Sequence, residues 1–477
     1  MDISFENLGF IKKGQVITND ITIIFGPNNV GKTYLSYSIF SILKEYRNMF
    51  LNAGYVTQKM AVTLLSEMSY EGSLSSFIKP KNQTVLCEEI SNNLPKFFKD
   101  TNNVLKGVKV CVNENSNDNK NLISKNFAYS IGLNAGYRLI ISKLKDEDKI
   151  KFTIKESEII DEDGNAKPHK KPSTRDTVNR MQLLLQYIVT NEFFEFAEKE
   201  PFIITSERTG ISLFLKEIDS NRNNIVNTIA LESYSEIEDS NKTIKNIIER
   251  RVSMFSEPIN HNINIIRDSF DTNSRVKITK SDTEDYNKII KTLNELVGGE
   301  YKILSDDILF SAKTSDDSII DMPISMTSGA GKSLFLMDLY LKRYVSKNSY
   351  LIIDEPELNL HPKNQIKMAE LLVRLSNYGV KVIITTHSDY ILKEINNRIM
   401  ANSLHEDEIL NKLGYGKSDT IASDKVNAFT ISQDGFIYSV DKDRFGINAN
   451  IFDEAILDVD SRMEILVGEL MRDNDVD

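Results

Sequence analysis

The chain has 477 residues and a formal net charge of −11, enough length to bury a large core in one composite domain or two to three lobes, and too acidic for a surface coated in basic groups for nucleic acid. Two cysteines, Cys87 and Cys111, are too few for a disulfide framework and lack metal-ligand spacing, so a reducing, cytoplasmic setting is expected. No run reaches the roughly 18 consecutive apolar residues of a membrane span, and the opening MDISFENLGF has no basic segment leading into an apolar one, which argues against a signal peptide.

Residues 1–45 read as strands followed by a helix. Ile21 to Phe25 is a short apolar run ending at Gly26, which suits a buried parallel strand. Leu35, Ile39, Leu43 and Tyr46 then recur at helical spacing. Segments 106–113, 127–133 and 137–156 read as antiparallel strands with polar turns at 114–120 and 146–148. Residues 161–180, rich in Lys, Asp, Asn and Pro, read as an exposed linker. From 175 to about 255, and again from 282 to 297, the pattern is helical and charged. Gly298-Gly299 marks a turn, after which strand and helix signals alternate to about residue 396. Asp434-Gly435 between two apolar segments predicts a two-residue hairpin, and the last 25 residues read as one acidic amphipathic helix.

Gly26-Pro27-Asn28-Asn29-Val30-Gly31-Lys32-Thr33 fits GxxxxGK[ST] between a strand and a helix. In such a loop the backbone N–H groups turn inward around phosphate oxygens, at a helix start whose dipole favours anions. Lys32 is placed to reach the β- and γ-phosphates and the Thr33 hydroxyl to take a position on Mg²⁺; Tyr34 joins the nucleotide-binding set as the next residue. Gly329-Ala330-Gly331-Lys332-Ser333 mimics the end of a second such loop, but the first glycine would have to stand where Met326 does.

Tyr350 to Ile353 is an apolar strand delivering Asp354 and Glu355 at its C-terminal edge, where open α/β sheets place ligands. Side-chain alternation sends the two acids in different directions. Asp354 suits Mg²⁺, mostly through water, and Glu355 suits the activation of an attacking water. Lys381 to Thr386 repeats the design and ends at His387, which can hydrogen-bond a γ-phosphate and report its presence. The helix between them, from Lys363 to about Tyr378, stops at Gly379.

Asp-Glu-Pro-Glu-Leu-Asn-Leu-His-Pro at 354–362, followed by Thr-Thr-His-Ser-Asp-Tyr at 385–390, resembles the ABC-type ATPases related to SMC, RecF and the OLD proteins. The resemblance implies an α/β fold, a P-loop ABC-type ATPase head with an antiparallel β subdomain and a helical insertion. It divides the chain into 1–174 (first part of the head), 175–297 (helical insertion), 298–445 (second part of the head) and 446–477 (C-terminal helix). It also implies ATP and Mg²⁺ as cofactors, and a signature segment that crosses a dimer interface to the neighbour's γ-phosphate. The matching stretch is Ser325 to Ser333, before a helix read at 334–344, with the contact at Ser328 and Gly329; it departs from the LSGGQ of transporters.

Pro201 to Ile211, with Arg208-Thr209-Gly210, is similar to a segment of AAA_15-like defence ATPases, as are Gly298 to Tyr301 and Phe452-Asp453-Glu454. These imply a stand-alone ATPase subunit of an anti-phage system such as PARIS or Septu. More than three hundred residues separate Lys32 from Asp354, too many for a transporter subunit, and heptads are not sustained enough for a long SMC arm. Fewer than a hundred residues follow His387, so no appended nuclease domain is expected, and Asp458 and Asp460 read as helix surface. Lys167 to Lys171 reads as a solvated basic loop without interleaved aromatics. The expectation is a homo-oligomeric ATP switch that senses a phage product and holds or releases a separate effector, a nuclease or toxin. The alternative is a recombination or repair ATPase that clamps DNA between heads.

Overall fold

Continuous apolar runs, rather than alternating ones, build the main sheet of this protein. The structure is a computed structural model and describes residues 1–52, 56–73, 83–113, 126–133, 137–156, 175–193, 200–214, 255–270, 283–304, 307–314, 316–404, 407–448 and 461–467. The basic loop at 167–171, the charged stretch 215–254, the segment 452–454 and the acids at 458 and 460 lie outside the described residues.

The chain opens with strands β1 (Asp2–Leu8), β2 (Ile11–Ile17) and β3 (Ile21–Phe25), then helix α1 (Lys32–Asn52). It divides into two compact units, one of Met1–Ile3, Ile42–Asn92 and Lys109–Glu200, the other of Ser4–Ser41, Asn93–Val108 and Pro201–Asp477.

The first unit holds α2 (Gln58–Glu67), β4 (Ser69–Ser73), most of α3 (Gln83–Phe97), β5 (Lys109–Asn113), β6 (Phe127–Leu133), β7 (Tyr137–Lys143), β8 (Lys149–Glu156) and α4 (Arg175–Phe193). An antiparallel sheet runs in the order β4-β8-β7-β6; segments 127–133 and 137–156 are strands in it as expected, while β4 was not read from the sequence and β5, within 106–113, is not part of it. Alternation gives it one apolar face: Leu139, Ile141, Ile150 and Phe152 are buried. Gln186 accepts from the Val56 N–H and Gln182 donates to the Val56 carbonyl, at 2.9 and 2.8 Å, tying α4 to the start of α2.

The second unit adds β9 (Phe202–Ile204), α5 (Glu257–Phe270), α6 (Glu284–Val297), β10 (Glu300–Ile303), β11 (Ile308–Lys313), β12 (Ile319–Pro323), α7 (Gly329–Ser333), α8 (Phe335–Arg343), β13 (Tyr350–Asp354), α9 (Pro362–Tyr378), β14 (Lys381–Thr386), α10 (Asp389–Ser403), α11 (Asp407–Leu413), β15 (Val426–Ile431), β16 (Ile437–Ser439) and the short pair β17 (Lys442–Asp443) and β18 (Gly446–Ile447). Its six-stranded sheet runs β16-β15-β3-β14-β13-β9. All neighbours are parallel except β15 and β16. Every residue of β3, β9 and β13 is buried, as a sheet covered on both faces requires. Leu336, Leu371, Leu372 and Ile391 belong to the core around it.

Four expectations change. The segment 175–297 is not helical throughout, because Phe202-Ile203-Ile204 enters the main sheet beside β13: three buried residues satisfy an edge that helical flanks hid. The signature helix starts at Gly329, capped by Ser328, and breaks at Leu334, rather than starting there. The hairpin loop is longer than two residues: Ile431 pairs with Ile437, the Ser432 N–H reaches the Phe436 carbonyl at 2.9 Å, and Gly435 is left-handed. Gly446–Ile447 is a strand held by Asn396, whose side chain bonds Ile447 at 2.8 and 3.0 Å; residues 461–467 are helical.

Candidate functional site

Parallel register sets three strand ends side by side. Phe25 lies opposite Thr386, Ile24 opposite Thr385, and Thr385 opposite Asp354. The loop after β3, the acids after β13 and His387 after β14 therefore leave the same edge of the sheet.

The loop needs glycine at both ends. Gly26 (φ +143°) passes so close to β15 that a Cβ would sit 2.8 Å from the Ile431 carbonyl oxygen, and Gly31 (φ +101°) packs on Ile11. Asn29 is left-handed at φ 63°, Asn28 and Asn29 are exposed, Pro27 is half-buried and Val30 is buried as an anchor. The Gly31 carbonyl accepts from the Leu35 N–H at 2.9 Å and starts α1. The Lys32 ammonium lies within the turn, donating to the carbonyls of Gly26 (3.1 Å) and Pro27 (2.5 Å). Burial lowers its pKa, while Glu355, Asp354 and Glu357 pull the other way.

Thr33 and Asp354 converge. The Thr33 hydroxyl donates to Asp354 Oδ2 at 3.1 Å, and the Thr385 hydroxyl donates to Oδ1 at 2.5 Å. Burial raises the pKa of the Asp354 carboxyl, against hydrogen bonds from Thr385, Ser206 and Thr33. A hydroxyl and a carboxylate oxygen at one point are the hard oxygen donors that suit Mg²⁺, which keeps waters and substrate phosphates as its other ligands. Among the described residues no group of three His, Cys, Asp or Glu side chains is arranged to hold a metal alone, so the fit is to a metal arriving with a phosphate.

Glu355 takes a left-handed backbone, φ 53°, which turns it away from Asp354. Its N–H donates to the carbonyl and the hydroxyl of Thr385, both at 3.1 Å. The His387 N–H donates to Glu357 Oε1 at 2.5 Å. Burial, then Lys32, lower the His387 pKa, with Asp354 opposing, which favours the neutral imidazole, a ring with one donor and one acceptor nitrogen. Burial likewise raises the Glu357 carboxyl, against the bond from His387.

Sequence reasoning assigned no role to several neighbours. Arg208, buried, donates to the carbonyls of Thr205, Asp354 and Glu355 at 3.1, 2.8 and 2.6 Å. Beside it, the Tyr37 hydroxyl on α1 donates to Glu207 Oε2 at 2.5 Å, and Asn359 donates to the Thr209 hydroxyl at 3.1 Å. The available signal was an apolar triplet ending in polar residues at 205–208, the same design as β13 and β14. Tyr34 stacks on Phe98, ring centroids 5.3 Å apart, and meets Phe10 edge-on. Ser328 and Gly329 are exposed. The Ser328 hydroxyl accepts from the Gly331 N–H at 3.1 Å, and Gly329 packs on Asn359, two residues after Glu357.

Residues 185–393 match the family model described as "AAA domain, putative AbiEii toxin, Type IV TA system". The match spans less than half of the chain and includes Arg208, Ser328, Asp354, Glu355 and His387 but not the phosphate loop. No curated protein matches the sequence. Among solved structures, an Smc head domain with an extended coiled coil bound to the C-terminal domain of ScpA, from Pyrococcus furiosus, is 12% identical, covering 96% of this chain and 98% of that one at a TM-score of 0.33. The SMC head domain from Thermotoga maritima is also 12% identical, covering 92% and 98% at a TM-score of 0.29. These superpositions are too loose to bear on partner or activity. The fold is a mixed α/β P-loop ATPase fold, and the family match is to an AAA domain over residues 185–393.

Proposed function

We propose that this chain is the ATPase subunit of a bacterial anti-phage defence system, a cytoplasmic homo-oligomeric switch whose ATP state holds or releases a separate effector. The observation that most supports hydrolysis is the strand register, which brings Lys32, Thr33, Asp354, Glu355 and His387 to one edge. The toxin–antitoxin description of the matching family and the Arg208-Thr209-Gly210 resemblance support the defence setting.

Gly26 to Thr33 wraps the β- and γ-phosphates with backbone N–H groups, with Lys32 released from its carbonyls to the phosphate oxygens. Thr33 and Asp354 would hold Mg²⁺, which would supply positive charge against the phosphates. Glu355 takes a proton from water as its oxygen attacks the γ-phosphorus; the bond to the β-phosphate oxygen breaks, giving ADP and inorganic phosphate. Neutral His387 donates a hydrogen bond to the γ-phosphate and registers its loss. Ser328 and Gly329 of a second copy close the site, so assembly and ATP occupancy are linked.

The test is affinity capture of tagged Glu355→Gln protein from its native host, with and without phage. A nuclease or toxin that co-purifies and leaves on infection supports the switch. Recovery of DNA and repair proteins, indifferent to phage, overturns it in favour of a DNA-clamping ATPase.

A further inference from the structure

Arg208 spends its charge on backbone. An arginine placed to bind a phosphate or carboxylate presents its planar fork to that anion. Here the guanidinium is buried, and its three hydrogen bonds among the described residues go to the carbonyls of Thr205, Asp354 and Glu355. Burying a cation is costly, and Asp354, Glu357 and Glu355 nearby favour its charged form. Two of the three carbonyls belong to the peptides where β13 ends and the chain leaves the sheet ladder.

The second of those peptides is unusual. Glu355 has a Cβ and yet stands at φ 53°, a conformation that persists only when its surroundings fix it. Its N–H is fixed by Thr385 at 3.1 Å, and its carbonyl by Arg208 at 2.6 Å. We infer that Arg208 is a positioning residue for hydrolysis: it clamps the carbonyls of the two peptides that flank the Glu355 Cα and so keeps the Glu355 carboxylate aimed at the water. This rests on the reading of Glu355 as the base that activates water.

The surrounding turn is anchored without Arg208. Tyr37 bonds Glu207 at 2.5 Å, Asn359 bonds Thr209 at 3.1 Å, and the Asn262 side chain bonds the Thr205 N–H at 2.9 Å. The phosphate loop is built on β3, β15 and α1. Losing the guanidinium should therefore disturb the aim of Glu355 and leave nucleotide binding in place, a separation that a general scaffold role would not produce.

The experiment compares wild type, Arg208→Ala, Arg208→Lys and Glu355→Gln by equilibrium binding of a fluorescent ATP analogue and by Mg²⁺-dependent phosphate release. Arg208→Ala is expected to lose about a hundredfold in kcat while its nucleotide Kd moves less than about threefold. Millimolar guanidinium should restore part of that kcat. Arg208→Lys keeps the charge but cannot span both carbonyls, and should fall between; if the alanine variant does not fold, this variant carries the test. A wild-type kcat in Arg208→Lys, or a parallel loss of Kd and kcat in Arg208→Ala, overturns the inference. Wild-type turnover in Glu355→Gln would instead overturn the reading of the base, whatever Arg208 does.

Discussion

At the residue scale the site is an accumulation of groups that folding alone disfavours. Asp354, Glu357, Lys32 and Arg208 are each moved from their ordinary pKa by burial, in the direction of the neutral form. Their mutual attraction offsets part of that cost, and clusters of this kind mark functional sites. Glu357 gives the sign a test. Its folded pKa is raised above the ordinary 4.5, so the fold binds this proton more tightly than the unfolded chain. Its contribution is present below pH 4.5 and lost as pH rises through the folded value. Glu357→Gln removes the dependence. Melting curves from about pH 4 to about pH 7 should show the variant's Tm minus the wild type's increasing as pH rises; a difference that stays level or decreases would contradict the account.

At the scale of elements, β9 has only three residues, yet the turn that follows it carries Arg208 to the site. Phe202 packs its ring against Tyr340, His261 and Tyr344 at centroid distances of 4.8, 5.2 and 5.3 Å, and the chain then turns directly into Arg208. Truncating a buried aromatic costs about 3–5 kcal/mol. Phe202→Ala should lower the thermal midpoint by about 6 °C or more, read by differential scanning fluorimetry; a shift within a degree or two would mean that β9 is not held by this cluster. Strands β3, β13 and β14 were legible in the sequence because each is an apolar run that ends in chemistry. β9 ends the same way, but its three residues sit between helical, charged flanks that dominate any window wide enough to read. Arg208 was legible only as part of a resemblance: its partners are main-chain carbonyls, which look the same behind every side chain. The role of Thr385, whose hydroxyl meets Asp354, follows from register, and register is set by pairing between strands whose partners stand 31 positions apart. Ser328, like Arg208, was legible only through a resemblance; its place as the cap of a helix that starts at Gly329 was hidden because the helix begins earlier than its apolar residues indicate.

At the scale of the whole molecule the proposed sandwich makes Ser328 serve a site it does not share within one chain. Ser328 and Gly329 are exposed, and Met326 beside them is 74% exposed, so this segment is accessible to a second copy. In a Glu355→Gln background, ATP should double the mass seen by light scattering, because closure outlasts turnover. Adding Ser328→Arg should hold the protein at the monomer mass with its ATP affinity nearly unchanged, since the bulky cation meets the second copy and not its own loop. Dimerisation equal to the parent would place the interface elsewhere.

The central claim is that the edge formed by Gly26 to Thr33, Asp354 and Glu355 hydrolyses ATP, and phosphate release by the purified protein with Mg²⁺ and ATP tests it most directly. Wild type is expected to turn over, while Glu355→Gln binds ATP with similar affinity and releases phosphate about a hundredfold more slowly or less. Equal release by the two proteins would contradict the account.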